Sequence, residues 1–186
     1  MRVRDRRGGQ TELPEYLLVD GYNIIFAWEE LNSLAQRDIA SARTKLMDLM
    51  SNYQGFTGCE LILVFDAYHV EGHPGEIFDF HNIHVVYTKE AETADQYIDK
   101  TVRNMRPKYK VTVATSDRLE QVIILGEGAH RLSASDFLDE VTYAQQQIRE
   151  ITRAARARTG KNYLFDTLDE ETAQLMERVR LGEEQL

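Results

Sequence analysis

Short apolar runs alternate with helical patterns along this chain of 186 residues, and that order restricts the fold more than any other feature. The apolar runs predict strands at residues 16–20, 60–66, 83–88, 110–115 and 129–132. Several are apolar at consecutive positions, as in Leu17-Leu18-Val19. Consecutive apolar residues are typical of strands buried on both faces, so the runs predict a mainly parallel central sheet.

Apolar residues at helical spacing fill most intervals between these runs. They predict helices at residues 38–54, 93–106, about 118–125 and 133–158. Gly55 predicts the end of the first helix, and Thr93 with Gln96 predicts a capping box at the start of the second. This order of elements predicts a three-layer α/β/α fold with right-handed crossovers.

The remaining segments carry weaker patterns. They predict a long loop at residues 67–82, a linker at 159–168 and a short final helix at 169–181. Residues 1–15 are basic but lack the apolar region of a secretory signal, so we expect a flexible tail there. We expect one folded domain at residues 16–140 and a C-terminal helical extension at residues 141–186.

Composition restricts the class of protein. The formal net charge of −9 argues against a nucleic-acid partner, although a metal-dependent nuclease needs acidic residues where it cuts. The single cysteine, Cys59, excludes an internal disulfide and a cysteine-rich zinc site. No apolar stretch approaches the roughly 20 residues of a membrane span. We expect a cytoplasmic protein that is a monomer.

Acidic residues follow three of the predicted strands. Asp20, Asp66 and Asp117 each stand where an apolar run stops. The carboxyl ends of parallel strands meet at one edge of a sheet, and ligands of open α/β sheets bind outside that edge. We therefore expect these three carboxylates to emerge together.

A row on the helix predicted at residues 93–106 adds further carboxylates. Glu92, Asp95 and Asp99 are spaced i, i+3, i+7 and share one face. Carboxylates that gather in this way raise each other's pKa unless a cation lies among them. Oxygen ligands suit Mg²⁺ or Mn²⁺, and these ions act on phosphate esters. The pattern predicts a divalent metal site, with Asn23 beside it to bond a ligand or fix the loop.

Each acid also has a purely structural interpretation. Asp20 with Gly21 suits a tight turn, and Asp117 suits a helix cap with Glu120 as its partner. Asp95 near a helix N-terminus is favoured there by the helix dipole. The prediction of a metal site therefore depends on these residues occurring together.

Four segments, in order, resemble NYN domains of the PIN-like nuclease superfamily: LLVDGYNII, LVFDAYHV, YTKEAETADQYI and VATSDRLEQ. They are most similar to the bacterial YacP-like group, which includes a ribosome-associated messenger-RNA endonuclease. The resemblance covers about residues 16–140 and is expected to continue into the C-terminal helix. It implies a PIN-like, Rossmann-like fold and a metal-dependent endoribonuclease that uses Mg²⁺ or Mn²⁺.

The same resemblance implies the site residues. The catalytic and metal-binding acids carry over onto Asp20, Asp66, Asp95 and Asp117, with Asp99 as a further metal ligand. Asn23 and Ser116 match supporting polar residues beside the first and last aspartates. The implied reaction is in-line attack of metal-activated water on a phosphodiester, leaving 5′-phosphate and 3′-hydroxyl ends. The resemblance also implies cleavage in the ribosomal A site during translation.

Basic residues predict where RNA would bind. Arg149, Arg153 and Arg156 recur at i, i+4, i+7 and share a face of the last long helix, with Arg158 and Lys161 after them. A second basic patch in the tail consists of Arg2, Arg4, Arg6 and Arg7. The alternative for each arginine is a solvated helix face that pairs with acids such as Glu150.

Aromatic residues are the other candidates for RNA contact. Tyr22, Phe26 and Trp28 follow Asp20, and an exposed ring among them would stack on a base, whereas a buried ring would belong to the core. The loop predicted at residues 67–82 is a further candidate contact with RNA or the ribosome, through Tyr68, His69, His73 and Phe78.

These patterns and the resemblance together predict an endoribonuclease that cleaves messenger RNA in association with the translating ribosome. The alternative is a catalytically weak or inactive module of the same fold that binds RNA or the ribosome. A phosphatase, or a nuclease acting on DNA ends, is a third possibility that the residues leave open.

Overall fold

A computed structural model describes residues 14–66, 75–106, 108–116 and 129–159, with side chains as far as residue 155. The chain divides between Gln145 and Gln146 into two compact units, and nearly all described elements belong to the first. The elements in chain order are β1 (Glu15–Asp20), α1 (Gly21–Ala27), α2 (Glu29–Ala35), α3 (Ile39–Thr57), β2 (Glu60–Phe65), β3 (Ile77–Phe80), β4 (Ile83–Tyr87), α4 (Ala94–Met105), β5 (Lys110–Thr115), β6 (His130–Ser133) and α5 (Ala134–Thr159).

The strands form one sheet in the order β3-β4-β2-β1-β5-β6. All neighbouring pairs are parallel except β3 with β4, which is antiparallel. In the central pairs Asp20 is aligned with Val64, and Val19 with Ala114, so β1, β2 and β5 end at nearly the same level. We call this end of the sheet the carboxyl edge and the opposite end the amino edge. The predicted mainly parallel α/β sheet is confirmed.

Helices cover both faces of the sheet. Successive strand residues point to opposite sides, so neighbouring residues of one strand pack against different helices. Leu17 and Val19 belong to a core cluster that includes the buried side chains of α1, α2, α3 and the first part of α5. Leu18 belongs to a second cluster, which packs against Ile98 and Val102 of α4. The layers are therefore helix, sheet and helix, as the consecutive apolar residues predicted.

The end of α3 differs from the prediction. The helix continues through Gly55 to Thr57, and it ends at Gly58, which adopts the left-handed conformation with φ of 75°. The Gly58 N–H donates to the carbonyl oxygen of Gln54 at 2.7 Å. A glycine terminates a helix when it takes the left-handed conformation, and Gly55 does not need to take it.

Two further segments were predicted wrongly. Residues 77–80, placed in a long loop, form the edge strand β3, in which Phe78 and Phe80 are half-buried and alternate with exposed residues. His81 turns the chain into β4 with a positive φ of 53°. The helices α1 and α2 were not predicted, because a tight turn was expected after Asp20; their core residues include Ile24, Ile25 and Leu31.

Other predictions were confirmed or fall on residues that the structure does not describe. Thr93 caps α4 and forms the predicted capping box with Gln96, and α5 occupies the predicted last long helix. Most of the predicted tail, the helix at 118–125, nearly all of the linker at 159–168 and the final helix at 169–181 lie outside the described residues. Among the described residues, no helix combines the length and apolar composition needed to cross a membrane.

Candidate active site at the carboxyl edge

Asp20 lies at the junction of β1 and α1. It is the last residue of the strand and the N-cap of the helix, and only 3 % of its surface is exposed. Its carboxylate accepts the Asn23 backbone N–H at 3.0 Å and the Asn23 side-chain Nδ2 at 2.8 Å. An aspartate satisfies N–H groups at a helix start in this way. The turn predicted at Asp20 and Gly21 as the structural alternative is therefore wrong, because Asp20 caps a helix that begins at Gly21.

Asn23 connects the ends of two neighbouring strands. While its Nδ2 donates to Asp20, its Oδ1 accepts the Ser116 hydroxyl at 2.6 Å. Ser116 directly follows β5, which pairs with β1. The structure thus brings together Asp20 and the two predicted supporting residues in one hydrogen-bonded chain.

Asp95 reaches the same place from α4, where it lies in the first turn. The capping box of Thr93 and Gln96 starts the helix there, with Gln96 N donating to Thr93 Oγ1 at 3.3 Å and Thr93 N donating to Gln96 Oε1 at 3.2 Å. The carboxyl group of Asp95 lies within hydrogen-bonding reach of Asp20 and influences its pKa. Two carboxylates that are far apart in sequence therefore meet at the carboxyl edge.

The pKa of Asp20 differs strongly from that of an exposed aspartate. Burial raises the pKa of Asp20 to about 6 from its ordinary value of 3.8. The two hydrogen bonds from Asn23 oppose this rise, while the negative charge of Asp95 and its hydrogen bond to Asp20 add to it. Proximity of a second carboxylate disfavours the charged form, and a cation between the two groups would reverse that effect.

The other predicted acids are arranged differently. Asp66 is half-buried directly after β2. Burial is the main cause that raises the pKa of Tyr22, and the negative charge of Asp66 adds slightly to that rise. Asp99 pairs with Arg103 on its own helix at 3.0 Å. Glu92 precedes the helix and lies 3.9 Å from Lys100.

The described acids offer a divalent metal ion oxygen ligands but not a complete set. Asp117 falls outside the described residues, and within those residues no group of three or more His, Cys, Asp or Glu side chains is arranged to hold a metal ion. The two carboxylates in contact are nevertheless oxygen donors whose mutual repulsion a divalent cation would relieve, which is the chemistry that Mg²⁺ or Mn²⁺ prefers. The described part of the site therefore fits such an ion.

An aromatic layer that the sequence did not reveal supports the site. A Cβ atom at Gly21 would overlap the ring of Phe65, so glycine is required after Asp20 for close packing and not for a turn. The Tyr22 ring packs edge-on against Phe65 at 5.2 Å, and Arg43 Nη1 donates to the Tyr22 hydroxyl at 3.0 Å. Arg43 comes from α3 and carried no recognisable signal, because its position in a helix resembles that of any half-buried cation.

Comparison with known proteins identifies the family. A model of the family described as YacP-like NYN domain matches residues 17–181. This chain belongs to the YacP-like NYN domain family. It is 37 % identical over 170 residues to the protein described as Uncharacterized protein YacP of Bacillus subtilis (strain 168), which covers 91 % of this chain and 98 % of that protein.

Two solved structures are similar to this NYN domain protein. The crystal structure of Rae1 (YacP) from Bacillus subtilis has 37 % sequence identity and a TM-score of 0.70, and the match covers 90 % of this chain and 95 % of that one. The crystal structure of its W164L mutant has 35 % identity and a TM-score of 0.66, covering 89 % and 99 %. NYN domains are nuclease-type domains, so membership supports a nuclease-like function related to RNA.

The predicted RNA-contact residues of this NYN protein are only partly described. Arg149 and Arg153 are exposed on α5, whereas the side chain of Arg156 lies outside the described residues. Also outside them are Tyr68, His69, His73, Arg158, Lys161 and the arginines of the tail. Phe78 packs against the core, with its ring centroid 5.7 Å from that of Tyr87, and does not belong to an open loop.

Proposed function

We propose that this protein is an endoribonuclease that uses Mg²⁺ or Mn²⁺ to cleave messenger RNA, as a monomer in the cytoplasm and in association with the translating ribosome. The observation that carries the proposal is the meeting of Asp20 and Asp95 at the carboxyl edge, with the pKa of Asp20 raised to about 6. Membership of a nuclease-type family supports it independently. Cleavage in the ribosomal A site is the part of the proposal that rests on family resemblance.

The acids Asp20, Asp66, Asp95 and Asp117 would hold the metal, with Asp99 as a further ligand. A divalent ion at such a site lowers the pKa of water and neutralises charge that develops on a phosphodiester. At pH 7 most Asp20 is ionised, because its pKa of about 6 lies below that pH. Asn23 holds the Asp20 carboxylate in one orientation, and Ser116 in turn orients the Asn23 amide. The products would carry 5′-phosphate and 3′-hydroxyl ends.

The RNA backbone would bind to Arg149, Arg153 and Arg156. The first two are exposed on α5, and the spacing of all three puts them on one helix face. We further propose that residues 16–140 form the catalytic domain and that residues 141–186 form an extension that carries these arginines. This division assigns the proposed acidic ligands and the three arginines to different residue ranges of a chain whose net charge is −9.

Cleavage of single-stranded RNA by the purified full chain tests the proposal. We expect cleavage with Mn²⁺ or Mg²⁺, none with EDTA, and loss of cleavage in Asp20→Asn. Asp48→Asn is the matched control, because Asp48 is an exposed acid on α3 that makes no part of the site. RNA that stays intact with Mn²⁺, or an Asp20→Asn protein that cuts as fast as the wild type, would contradict the proposal.

A catalytically weak RNA- or ribosome-binding module is the second candidate. It is favoured by one observation: within the described ranges the acids that meet at the carboxyl edge do not form a group of three. Isothermal titration with Mn²⁺ separates the two functions, since a nuclease site should bind the ion through Asp20. RNA affinity that is lost in Arg149→Ala with Arg153→Ala, without cleavage under any metal condition, would support the binding module.

A further inference from the structure

The three aromatic residues that follow Asp20 have different environments. Tyr22 is 6 % exposed and accepts a hydrogen bond from Arg43, and Trp28 is 3 % exposed with its Nε1 donating to the Ala134 carbonyl at 2.8 Å. Phe26 is 49 % exposed. Burial and hydrogen bonding explain the first two aromatic residues, but neither explains a large apolar ring at the surface of α1.

Phe26 is the outer member of an aromatic stack. Its ring is stacked on Tyr22, with centroids 6.0 Å apart and 19° between the planes. Tyr22 in turn packs against Phe65, the last residue of β2. At this centroid distance the two rings are offset, so Tyr22 covers only part of the Phe26 ring and leaves about half of the residue exposed.

This stack begins at the proposed cleavage site. Asp20 is the N-cap of the helix that carries Phe26, and six residues of helix correspond to about 9 Å along its axis. Asp66 follows directly after Phe65, the residue against which Tyr22 packs. The exposed ring therefore belongs to the short helix that Asp20 caps, and it is stacked on Tyr22, which the core and Arg43 hold in place.

A single exposed aromatic residue is ordinary on a protein surface. Three observations distinguish this one: its position on the short helix that Asp20 caps, a nearly parallel buried ring behind it, and a cation that bonds to that second ring. Proteins that bind single-stranded nucleic acid use aromatic faces of this kind, because every base has a face that can stack. An overall negative protein gains affinity from stacking without adding positive charge near its metal site.

We propose that Phe26 is a base-stacking residue that binds one nucleotide of single-stranded RNA beside the phosphodiester to be cut. Tyr22 supports its ring, and Arg43 positions Tyr22. The ligand is an unpaired base of any identity, since stacking is tolerant of sequence. The inference rests on the proposed function in that the bound strand is the substrate of the same site.

Binding without cleavage tests this role. Fluorescence anisotropy of a labelled single-stranded RNA oligonucleotide would be measured with the full chain in EDTA, where metal-dependent cleavage does not interfere. We expect Phe26→Ala to weaken binding by roughly tenfold. Phe26→Leu, which keeps an apolar side chain but lacks an aromatic face, should weaken it similarly, whereas Phe26→Trp should retain wild-type affinity.

Phe56→Ala is the matched control. Phe56 is also a half-exposed phenylalanine, at 39 %, but it lies near the end of α3 and hence toward the amino edge. It should bind the oligonucleotide as the wild type does. The Phe26 variants should melt as the wild type does, because the ring of Phe26 contributes little to the core.

An oligonucleotide with one abasic nucleotide identifies the base as the ligand. When the abasic site is moved along the oligonucleotide, one position should weaken binding to the wild-type protein but leave binding to Phe26→Ala unchanged. Wild-type affinity in Phe26→Ala, or in Phe26→Leu, would overturn the inference, and so would loss of ribosome association in Phe26→Ala with oligonucleotide binding unchanged.

The two proposals fail separately. Phe26-dependent binding in EDTA without cleavage in Mn²⁺ would overturn the nuclease and leave the stacking residue in place. If the wild type cleaves RNA with metal but Phe26→Ala binds RNA as tightly as the wild type, the nuclease proposal stands and the stacking role of Phe26 is overturned.

Discussion

Both edges of the sheet carry acidic residues, but the chemical groups that contact those residues differ between the edges. At the amino edge Glu15 pairs with Lys110 at 2.6 Å across β1 and β5, and Glu140 accepts the Tyr53 hydroxyl at 2.6 Å. At the carboxyl edge the nearest partners of Asp20 are the neutral amide of Asn23 and a second acid, Asp95.

This difference separates acids that serve the fold from acids that cost it stability. A carboxylate with a cation or a hydroxyl donor is neutral or mildly stabilising at a protein surface. A buried carboxylate beside another carboxylate is destabilising in its charged form. A chain that places such a pair at the end of its central strand is expected to use it for binding or chemistry.

The largest difference between the edges should appear in cleavage rate. Asp95→Ala at the carboxyl edge should lower the initial rate of RNA cleavage in Mn²⁺ by about 10²–10⁴-fold, the range for removal of one charged group from a catalytic set. Glu15→Ala at the amino edge should cut at the wild-type rate. Equal rates for Asp95→Ala and Glu15→Ala would remove the functional distinction between the edges.

The next difference concerns stability and pH in the absence of divalent metal. The pKa of Asp20 is raised in the folded state, from 3.8 to about 6, so the folded protein binds the proton more tightly than the unfolded chain does. The contribution of Asp20 to the free energy of unfolding is therefore favourable at low pH and is lost as pH rises from about 4 to about 6, by up to about 3 kcal/mol.

Chemical denaturation in EDTA between pH 4 and 8 measures this effect. The free energy of unfolding of wild type minus that of Asp20→Asn should fall through that window and become constant above it, because asparagine does not titrate. A difference that does not change with pH would contradict a raised pKa at Asp20.

A smaller effect is expected from the residue that orients Asp20. Asn23→Ala removes the Nδ2–Oδ2 hydrogen bond while the backbone N–H of residue 23 still caps the helix. Cleavage should fall by about 10–100-fold, as for other residues that orient a metal ligand. In the wild type the side-chain hydrogen bond from Asn23 lowers the pKa of Asp20, so its removal should raise that pKa. The acidic limb of the pH–rate profile should therefore move to higher pH. A purely structural role would lower activity without moving that limb.

The smallest effect should come from the amino edge. Burial and the hydrogen bond to Glu140 raise the pKa of Tyr53. Tyr53→Phe removes that bond and should lower the free energy of unfolding by about 1 kcal/mol, with the cleavage rate unchanged. Thermal melting and the RNA assay measure the two quantities on the same preparation. Lost activity in a variant that remains folded would link the amino edge to catalysis.

Local signals in the sequence predicted much of this fold. Consecutive apolar residues such as Leu17-Leu18-Val19 indicated a strand covered on both faces, and Thr93 with Gln96 marked the start of α4. One local signal failed. Gly55 looks like a helix stop, yet the helix ends where Gly58 takes a positive φ.

The site was predictable to a similar extent. Asp20, Asn23 and Ser116 were placed together because strand ends and family motifs both indicate them. Helical spacing alone puts Asp95 and Asp99 in one row, and only the family resemblance ranked Asp95 as catalytic with Asp99 as a further metal ligand. The structure separates them: Asp95 reaches Asp20, whereas Asp99 pairs with Arg103.

The sequence by itself determined that this chain forms a mainly parallel sheet with acids at its carboxyl edge, because strand burial and strand ends are recorded in neighbouring residues. Only the tertiary structure decided which acid faces Asp20, how far burial raises the pKa of Asp20, and that Arg43 and Tyr22 support an exposed Phe26. Those properties depend on distances between elements remote in the chain, and burial and Coulomb energy follow such distances.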